Sequence, residues 1–359
     1  MPTARAKRRP SKKKRQSRQT DRSSAKAQGC AAVVVSTGCP SGIGPEVSVA
    51  AAARFTKAPT VLVGDSDTIA RAAQLRGVDS ARLHPFVADQ PLSKRSIYVL
   101  HTEPELSAGD RRPGAPSRTA GAAQLAYIDR AYDLVRASPR FALVTGPVSK
   151  AVIAGSGVRR AAGFLGHTEW LQVRDRAPSS VMCCASSELA TSLVTTHLPL
   201  GKVARALTPD GVASAIVGLV ALLDAVRPRP LSIAVCSLNP HAGEGELLGK
   251  EEARAIVPGM QAAQRRIGRG VRLVGPIGAE TAYRKALDGQ YDGVVAMYHD
   301  QATIPMKLVA FGEAVNVTMG LSVVRTSVDH GTGYDIAWQG VADEAGMLSA
   351  MNLGARLVG

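Results

Sequence analysis

The stretch Gly293-Val-Val-Ala-Met-Tyr-His-Asp-Gln-Ala-Thr-Ile-Pro-Met-Lys307 decides the class of fold. Its first five residues, Gly293–Met297, form an unbroken apolar run, the pattern of a strand buried on both faces. The run ends in Tyr298, His299, Asp300 and Gln301, polar side chains of little use inside a core. In open α/β sheets, ligands bind beyond the carboxyl ends of strands. A strand ending in His-Asp-Gln therefore presents a metal ligand or an acid/base pair. A hydrogen-bonded histidine at a strand end is the plain alternative, and the rest of the chain decides between them.

The same grammar recurs outward from that stretch. Ala31–Ser36 reads as a strand running into Thr37-Gly-Cys-Pro-Ser-Gly-Ile-Gly-Pro-Glu46, then an alanine-rich helix to about Arg54. A strand, a glycine-rich turn and a helix N-terminus make a place for an anion or cofactor, although the spacing matches neither the dinucleotide fingerprint nor the phosphate-binding loop. Further strands are expected at Thr60–Gly64, at Ser96–Leu100 (as an edge), at Phe141–Thr145, at Ala190–Thr196 and at Leu231–Cys236. Helices are expected near 67–76, 120–137, 209–225 and 249–265, and residues 108–119 read as a Gly/Pro/Arg-rich loop. Strand–helix alternation of this kind implies a layered α/β protein.

Composition narrows the class. The 359 residues are 45% hydrophobic but only 4% aromatic, as in an enzyme core built from Ala, Val, Leu and Ile. No apolar run approaches the roughly 18–20 residues needed to span a bilayer, and residues 1–28 lack the apolar segment of a secretory signal. The net charge of +15 is concentrated: residues 1–28 carry eleven Lys/Arg and one acid, leaving +5 for the other 331. Such a tail cannot fold alone and is expected to be disordered. Read as the functional part, it would make the chain a nucleic-acid-binding protein. It lacks the interleaved aromatics of a stacking platform, however, and the body carries a full set of polar site residues. Five cysteines without CxxC spacing suggest neither a disulfide framework nor a zinc ribbon, and fit a reducing cytoplasm.

Three histidines share one context. His197, His241 and His299 each follow an apolar strand, in a turn with proline or an acidic neighbour. If those strands share a sheet, the imidazoles converge on one end of it, and three nitrogen ligands with open positions suit a catalytic metal. Zinc is favoured, with cobalt, manganese or magnesium able to substitute. Asp300 and Glu244 are candidate partners for the rings. Gly163-Phe-Leu-Gly-His-Thr-Glu-Trp170 opens a helix where His167 and Thr168 can meet a phosphate or carboxylate. Lys307, Asn316 and Arg325 follow one another at nine-residue intervals, as from adjacent short elements aimed at one pocket, and suit a substrate bearing a carboxylate and a phosphate.

Seven motifs carry a resemblance: Ser41-Gly-Ile-Gly-Pro-Glu46, Val144-Thr-Gly-Pro-Val-Ser-Lys150, Gly166-His-Thr-Glu169, Thr195-Thr-His-Leu-Pro-Leu200, Asn239-Pro-His-Ala-Gly-Glu244, Met297-Tyr-His-Asp-Gln301 and Arg325-Thr-Ser-Val-Asp-His-Gly-Thr332. Together, over about residues 31–355, the chain resembles the 4-hydroxythreonine-4-phosphate dehydrogenases of vitamin B6 biosynthesis. The resemblance implies an isocitrate/isopropylmalate dehydrogenase-like α/β fold with two α/β subdomains flanking a cleft, approximately 29–145 plus 300–359, and 146–299. It implies a homodimer with the active site at the interface. Metal ligands would be His197, His241 and His299. Substrate contacts would be His167, Thr168, Lys307, Asn316 and Arg325, with Lys307 and Asp300 as catalytic groups. His330, Gly331 and Asp335 would hold NAD or NADP. The implied reaction is metal-dependent oxidation at C3 with decarboxylation to 3-amino-2-oxopropyl phosphate. A paralogue acting on 4-phosphorylated threonate or erythronate is the nearest rival, and a metal-dependent hydrolase leaves the loop 330–337 without a purpose. Cys39, Glu280 and Trp338 depart from the family pattern.

Overall fold

A computed structural model describes residues 30–359; the expected disordered tail, 1–28, lies outside them. In chain order the strands are β1 (Ala32–Ser36), β2 (Thr60–Gly64), β3 (Leu83–Pro85), β4 (Ile97–His101), β5 (Phe141–Thr145), β6 (Val181–Ala185), β7 (Ala190–Leu193), β8 (Leu231–Cys236), β9 (Val271–Ile277), β10 (Gly293–Ala296), β11 (Val315–Met319) and β12 (Arg325–Val328). The α-helices are α1 (Gly44–Arg54), α2 (Ser66–Leu75), α3 (Arg118–Arg136), α4 (Lys150–Ala154), α5 (His167–Asp175), α6 (Leu200–Ala206), α7 (Pro209–Asp224), α8 (Val257–Gln264), α9 (Ala279–Leu287), α10 (His299–Val309) and α11 (Ala345–Val358).

The twelve strands form one mixed sheet in the order β3-β4-β2-β1-β5-β12-β11-β6-β7-β10-β8-β9. The first six are mutually parallel, as are the last four. The two parallel blocks run in opposite directions, because β12-β11-β6-β7 alternate through three antiparallel pairings. β3 lies outside β4, so β4 is not the edge that its sequence suggested. The expected α/β layering is present, with one large mixed sheet.

Helices cover both faces, but unequally. On one face a single apolar cluster runs the width of the sheet, with Val33 and Val35 of β1 and Val295 of β10 packed under α1, α7 and α11. On the other face the core divides. Ala32, Val34 and Leu143 pack with Ile128 and Tyr132 of α3 in one cluster. Met182, Ala234 and Val294 pack with Ala282 of α9 and Met306 of α10 in another. Each fully buried Val, Leu, Ile or Met side chain among them contributes about 1.5–3 kcal/mol. Between the two clusters the sheet floor turns polar.

Candidate active site

Strand register sets that floor. Side chains alternate across a strand, so Arg325, Ser327 and Asp329 share one face of β12 and its extension. Across the ladder Arg325 pairs with Thr318 and Ser327 with Asn316, and on β6 Met182 pairs with Thr318. Arg325, Ser327, Asp329, Asn316 and Met182 line one cavity of about 270 Å³. The opposite face of β12 is committed to the core: Thr326 donates to the Ala350 carbonyl at 2.8 Å.

The walls come from four other segments. His167, Thr168 and Glu169 enter from the first turn of α5, Lys150 from the turn after β5, His197 from the turn after β7, and His299 from the start of α10. The β7 and β10 turns are locked together, since Thr195 Oγ1 donates to the Met297 carbonyl at 2.8 Å. Gln301 closes the same corner, accepting from the Met297 N–H at 2.6 Å and donating to the Ser237 carbonyl at 2.9 Å.

Arg325 is 3% exposed, and its guanidinium meets hydroxyls rather than a carboxylate. Nη2 and Nε donate to Thr145 Oγ1 at 2.6 and 3.2 Å, and Nη1 to Thr318 Oγ1 at 2.8 Å. Burial brings its pKa down to about 10, against the opposing pull of Glu169. Burial, then Arg325 and Lys150, hold the His167 imidazole well below the usual histidine range, so it is neutral. His167 Nε2 and Asn316 Oδ1 are sealed from solvent without a hydrogen-bond partner. A buried cation beside an unsatisfied imidazole nitrogen marks an anion site, because each such group costs free energy until a ligand meets it, while Asn316 Oδ1 can only accept and calls for a ligand hydroxyl or amine.

At the other end the rings of His197 and His299 lie 5.7 Å apart between centroids. His197 Nδ1 is 3.6 Å from Glu169 Oε1, and His299 Nδ1 is 2.7 Å from Asp300 Oδ1. A carboxylate on Nδ1 orients the ring and leaves Nε2 as the donor, the usual support of a metal-bound histidine. His299 meets that description, whereas Glu169 stands just beyond hydrogen-bond reach of His197. β7, β10 and β8 are adjacent and parallel, so His241 shares the sheet edge of the other two. It sits in a left-handed turn, φ 51°, outside the cavity lining. Among the described residues the only His/Cys/Asp/Glu trio with ligand atoms within 4.8 Å is the exposed His101, Glu103 and Glu105.

Lys307 does not line this cavity. It faces an adjoining one of about 60 Å³ that shares Asp329 and His330, with its Nζ 3.9 Å from Asp329 Oδ2. Burial raises the Asp329 pKa, opposed by Lys307, His299 and His330. His330 lines the main cavity with Nε2 sealed and unpartnered. Gly331 and Asp335 lie beyond it, on a loop pressed against the first glycine turn. There the Ile43 N–H donates to the Thr332 carbonyl at 2.9 Å, and Cys39 Sγ is 3.4 Å from Tyr334 Oη. Trp338 adopts φ 63°, donates Nε1–H to the Pro40 carbonyl at 2.9 Å and stacks under the Arg71 guanidinium. Glu280 opens α9, with its Oε1 accepting from the Thr281 hydroxyl.

The structure brings His167, Thr168, His197, His299, Asn316 and Arg325 into one lining, together with His330, which had been expected at the cofactor. Sequence reasoning did not assign Lys150, Glu169 or Asp329. The polar run at the end of β5 pointed toward Lys150; the alternation Arg-Thr-Ser-Val-Asp329 could have found Asp329.

Comparisons with known proteins converge. Residues 56–354 match the family described as "Pyridoxal phosphate biosynthetic protein PdxA". The chain is 40% identical over 328 residues to a 4-hydroxythreonine-4-phosphate dehydrogenase of Acidithiobacillus ferrooxidans, covering 91% of this chain and 96% of that one. The crystal structure of the 4-hydroxythreonine-4-phosphate dehydrogenase of Klebsiella pneumoniae superposes with a TM-score of 0.77 at 33% identity, covering 92% of this chain and all of that one. A terephthalate 1,2-cis-dihydrodiol dehydrogenase of Burkholderia xenovorans superposes at 0.65 and 29% identity, over 91% and 98% of the two chains.

Proposed function

The chain belongs to the family of the pyridoxal phosphate biosynthetic protein PdxA, and on that premise we propose that it oxidises 4-hydroxythreonine 4-phosphate at C3 and releases C1 as carbon dioxide, yielding 3-amino-2-oxopropyl phosphate. It is an NAD-dependent oxidoreductase of vitamin B6 biosynthesis. The observation that carries the substrate reading is one cavity with carboxylate-flanked histidines at one end and a buried arginine without a counter-ion at the other.

When bound, a divalent ion supplies a Lewis acid to the C3 oxygen and NAD supplies the hydride acceptor. His197 and His299 would hold the ion, with zinc the best match to imidazole donors, and His241, in the turn after the neighbouring strand, would be the third ligand. Arg325, neutral His167, Thr168 and Asn316 hold the phosphate. Loss of carbon dioxide leaves C2 in need of a proton; we assign that donor to Lys307, whose adjoining cavity shares Asp329 and His330 with the site. His330, Gly331 and Asp335 stand where the loop meets the first glycine turn, and there we place NAD, with NADP the alternative carrier.

The divided core on the site face supports two subdomains flanking a cleft in the isocitrate dehydrogenase manner, but its boundaries differ from 29–145 plus 300–359 and 146–299: Ile153 to Leu171 pack in the first cluster and Ala302 to Ala314 in the second. Exposed apolar side chains beside the site support a homodimer with the site at its interface. Ile304, Leu308 and Phe311 form an i, i+4, i+7 stripe on and just beyond α10, and Leu200 follows His197 by three residues. The test is NADH formation from 4-hydroxythreonine 4-phosphate, and separately from 4-phosphothreonate, before and after chelation. Turnover of the threonate alone, or undiminished turnover of a metal-stripped enzyme, would overturn the reading.

A further inference from the structure

Lys150 lines the cavity, yet it enters none of the site's ion pairs, which join His197 to Glu169, His299 to Asp300 and Lys307 to Asp329. Its backbone is pinned from below. The Ser149 N–H donates to Gln124 Oε1 at 2.9 Å, Gln124 is itself buried and donates to the Ala120 carbonyl at 3.1 Å, and the Ser149 hydroxyl caps α4 on the Val152 N–H. The side chain reaches over Gly166, the residue before His167. A Cβ built on Gly166 would meet Lys150 Cε at 3.5 Å and Nζ at 3.6 Å. The amine therefore stands at the entrance to the same subsite whose floor is Arg325; both cations act on the His167 ring, whose Nε2 is unsatisfied.

Two cations without carboxylate partners are one more than a monoanion needs. A phosphate monoester carries about −1.5 to −2 at neutral pH, and its three terminal oxygens can take charged hydrogen bonds from both. Glu169 bears on the same region: its Oε1 is turned toward His197, and its Oε2 stands over Gly166 near the Lys150 amine without forming an ion pair with it, so Lys150 keeps a charged position free for a ligand. A neutral His167 adds a donor without adding charge. Lys307, the lysine that sequence spacing singled out, faces its own small cavity and Asp329 instead.

We propose that Lys150 is a specificity-determining residue, the second cation of the phosphate subsite, which selects a dianionic terminal group over a monoanionic one. This rests on the reading of the cavity as a phosphorylated-substrate site. The experiment uses the full-chain, metal-loaded enzyme with Lys150→Met and Lys150→Arg. KM and kcat are measured for 4-hydroxythreonine 4-phosphate, together with inhibition by inorganic phosphate and by monoanionic methyl sulfate. In Lys150→Met, KM and the phosphate inhibition constant should each rise about ten- to hundredfold, the loss expected for one charged hydrogen bond. Methyl sulfate inhibition should change little, kcat and metal content should hold, and Lys150→Arg should recover most of the loss. An unchanged KM and unchanged phosphate inhibition in Lys150→Met would overturn the proposal, as would a collapse of kcat at constant KM. If the wild-type enzyme fails to turn over the substrate, the functional reading falls on its own. Calorimetric binding of inorganic phosphate to wild type and Lys150→Met then still decides the subsite.

Discussion

Glu46 offers a direct test of whether the loop after β12 carries the nicotinamide cofactor. It is fully buried in the first turn of α1, where a carboxylate is favoured by the helix dipole. Its oxygens accept from the backbone N–H of Trp338 and, at 2.9 Å, of Gly340, tying the loop to the first glycine turn. Glu46→Gln keeps the shape but turns an NH2 group toward one of those donors. One charged hydrogen bond is lost and a buried N–H is left unsatisfied, a cost of about 1.5–3 kcal/mol. That is about a ten- to hundredfold shift in the balance between docked and undocked loop. Trp338 sharpens the effect, because its left-handed φ of 63° costs roughly 1–2 kcal/mol that the docked contacts must offset. KM for NAD should rise accordingly and the thermal midpoint should fall by a few degrees, while metal content stays unchanged because His197 and His299 stand on the other parallel block. In a Trp338→Gly background, where that strain is absent, the Glu46→Gln effect should shrink, read as a double-mutant cycle. A lowered midpoint with an unchanged KM for NAD would place the cofactor elsewhere. No change in either would refute the bonding argument itself.

Other perturbations have defined outcomes. His167 is neutral in the fold, and below about pH 6.5 the unfolded chain takes a proton that the folded one refuses, so stability falls as pH falls, by up to about 1.4 kcal/mol per unit. Urea midpoints from about pH 7.5 to 5.5 should show a shallower slope in His167→Gln than in wild type; parallel slopes would mean that the ring titrates normally. Gly166→Ala places a Cβ 2.9 Å from Glu169 Oε2 and against Lys150, so KM for the phosphorylated substrate should rise with little change in midpoint. Phe311 is 85% exposed on the stripe with Ile304 and Leu308. Phe311→Lys should halve the sedimenting mass and abolish turnover; an unchanged mass would remove that stripe from the interface. His197→Ala or His299→Ala should lose metal and activity together, measured by elemental analysis beside NADH formation.

The alternation of apolar runs with helical stretches was legible without coordinates, because strand and helix periods are local properties of the chain. β1, β2, β5 and β8 fall where those runs place them, and His197 and His299 stand at the ends of strands that the runs identify. What the local pattern could not supply is which strands become neighbours and in what register. Only the antiparallel insertion of β11 and β6 brings Asn316 and Thr318 beside Ser327 and Arg325 on one face, forming a polar floor in which Thr318 and Ser327 join the two residues that spacing had singled out. The same packing admits Lys150 to the cavity and sets Lys307 apart, although spacing alone favoured the second. The chain's own order thus determined the elements and the chemistry at their ends. The meeting of those ends was decided by long-range strand pairing, a cooperative choice among whole faces that no single stretch of sequence contains.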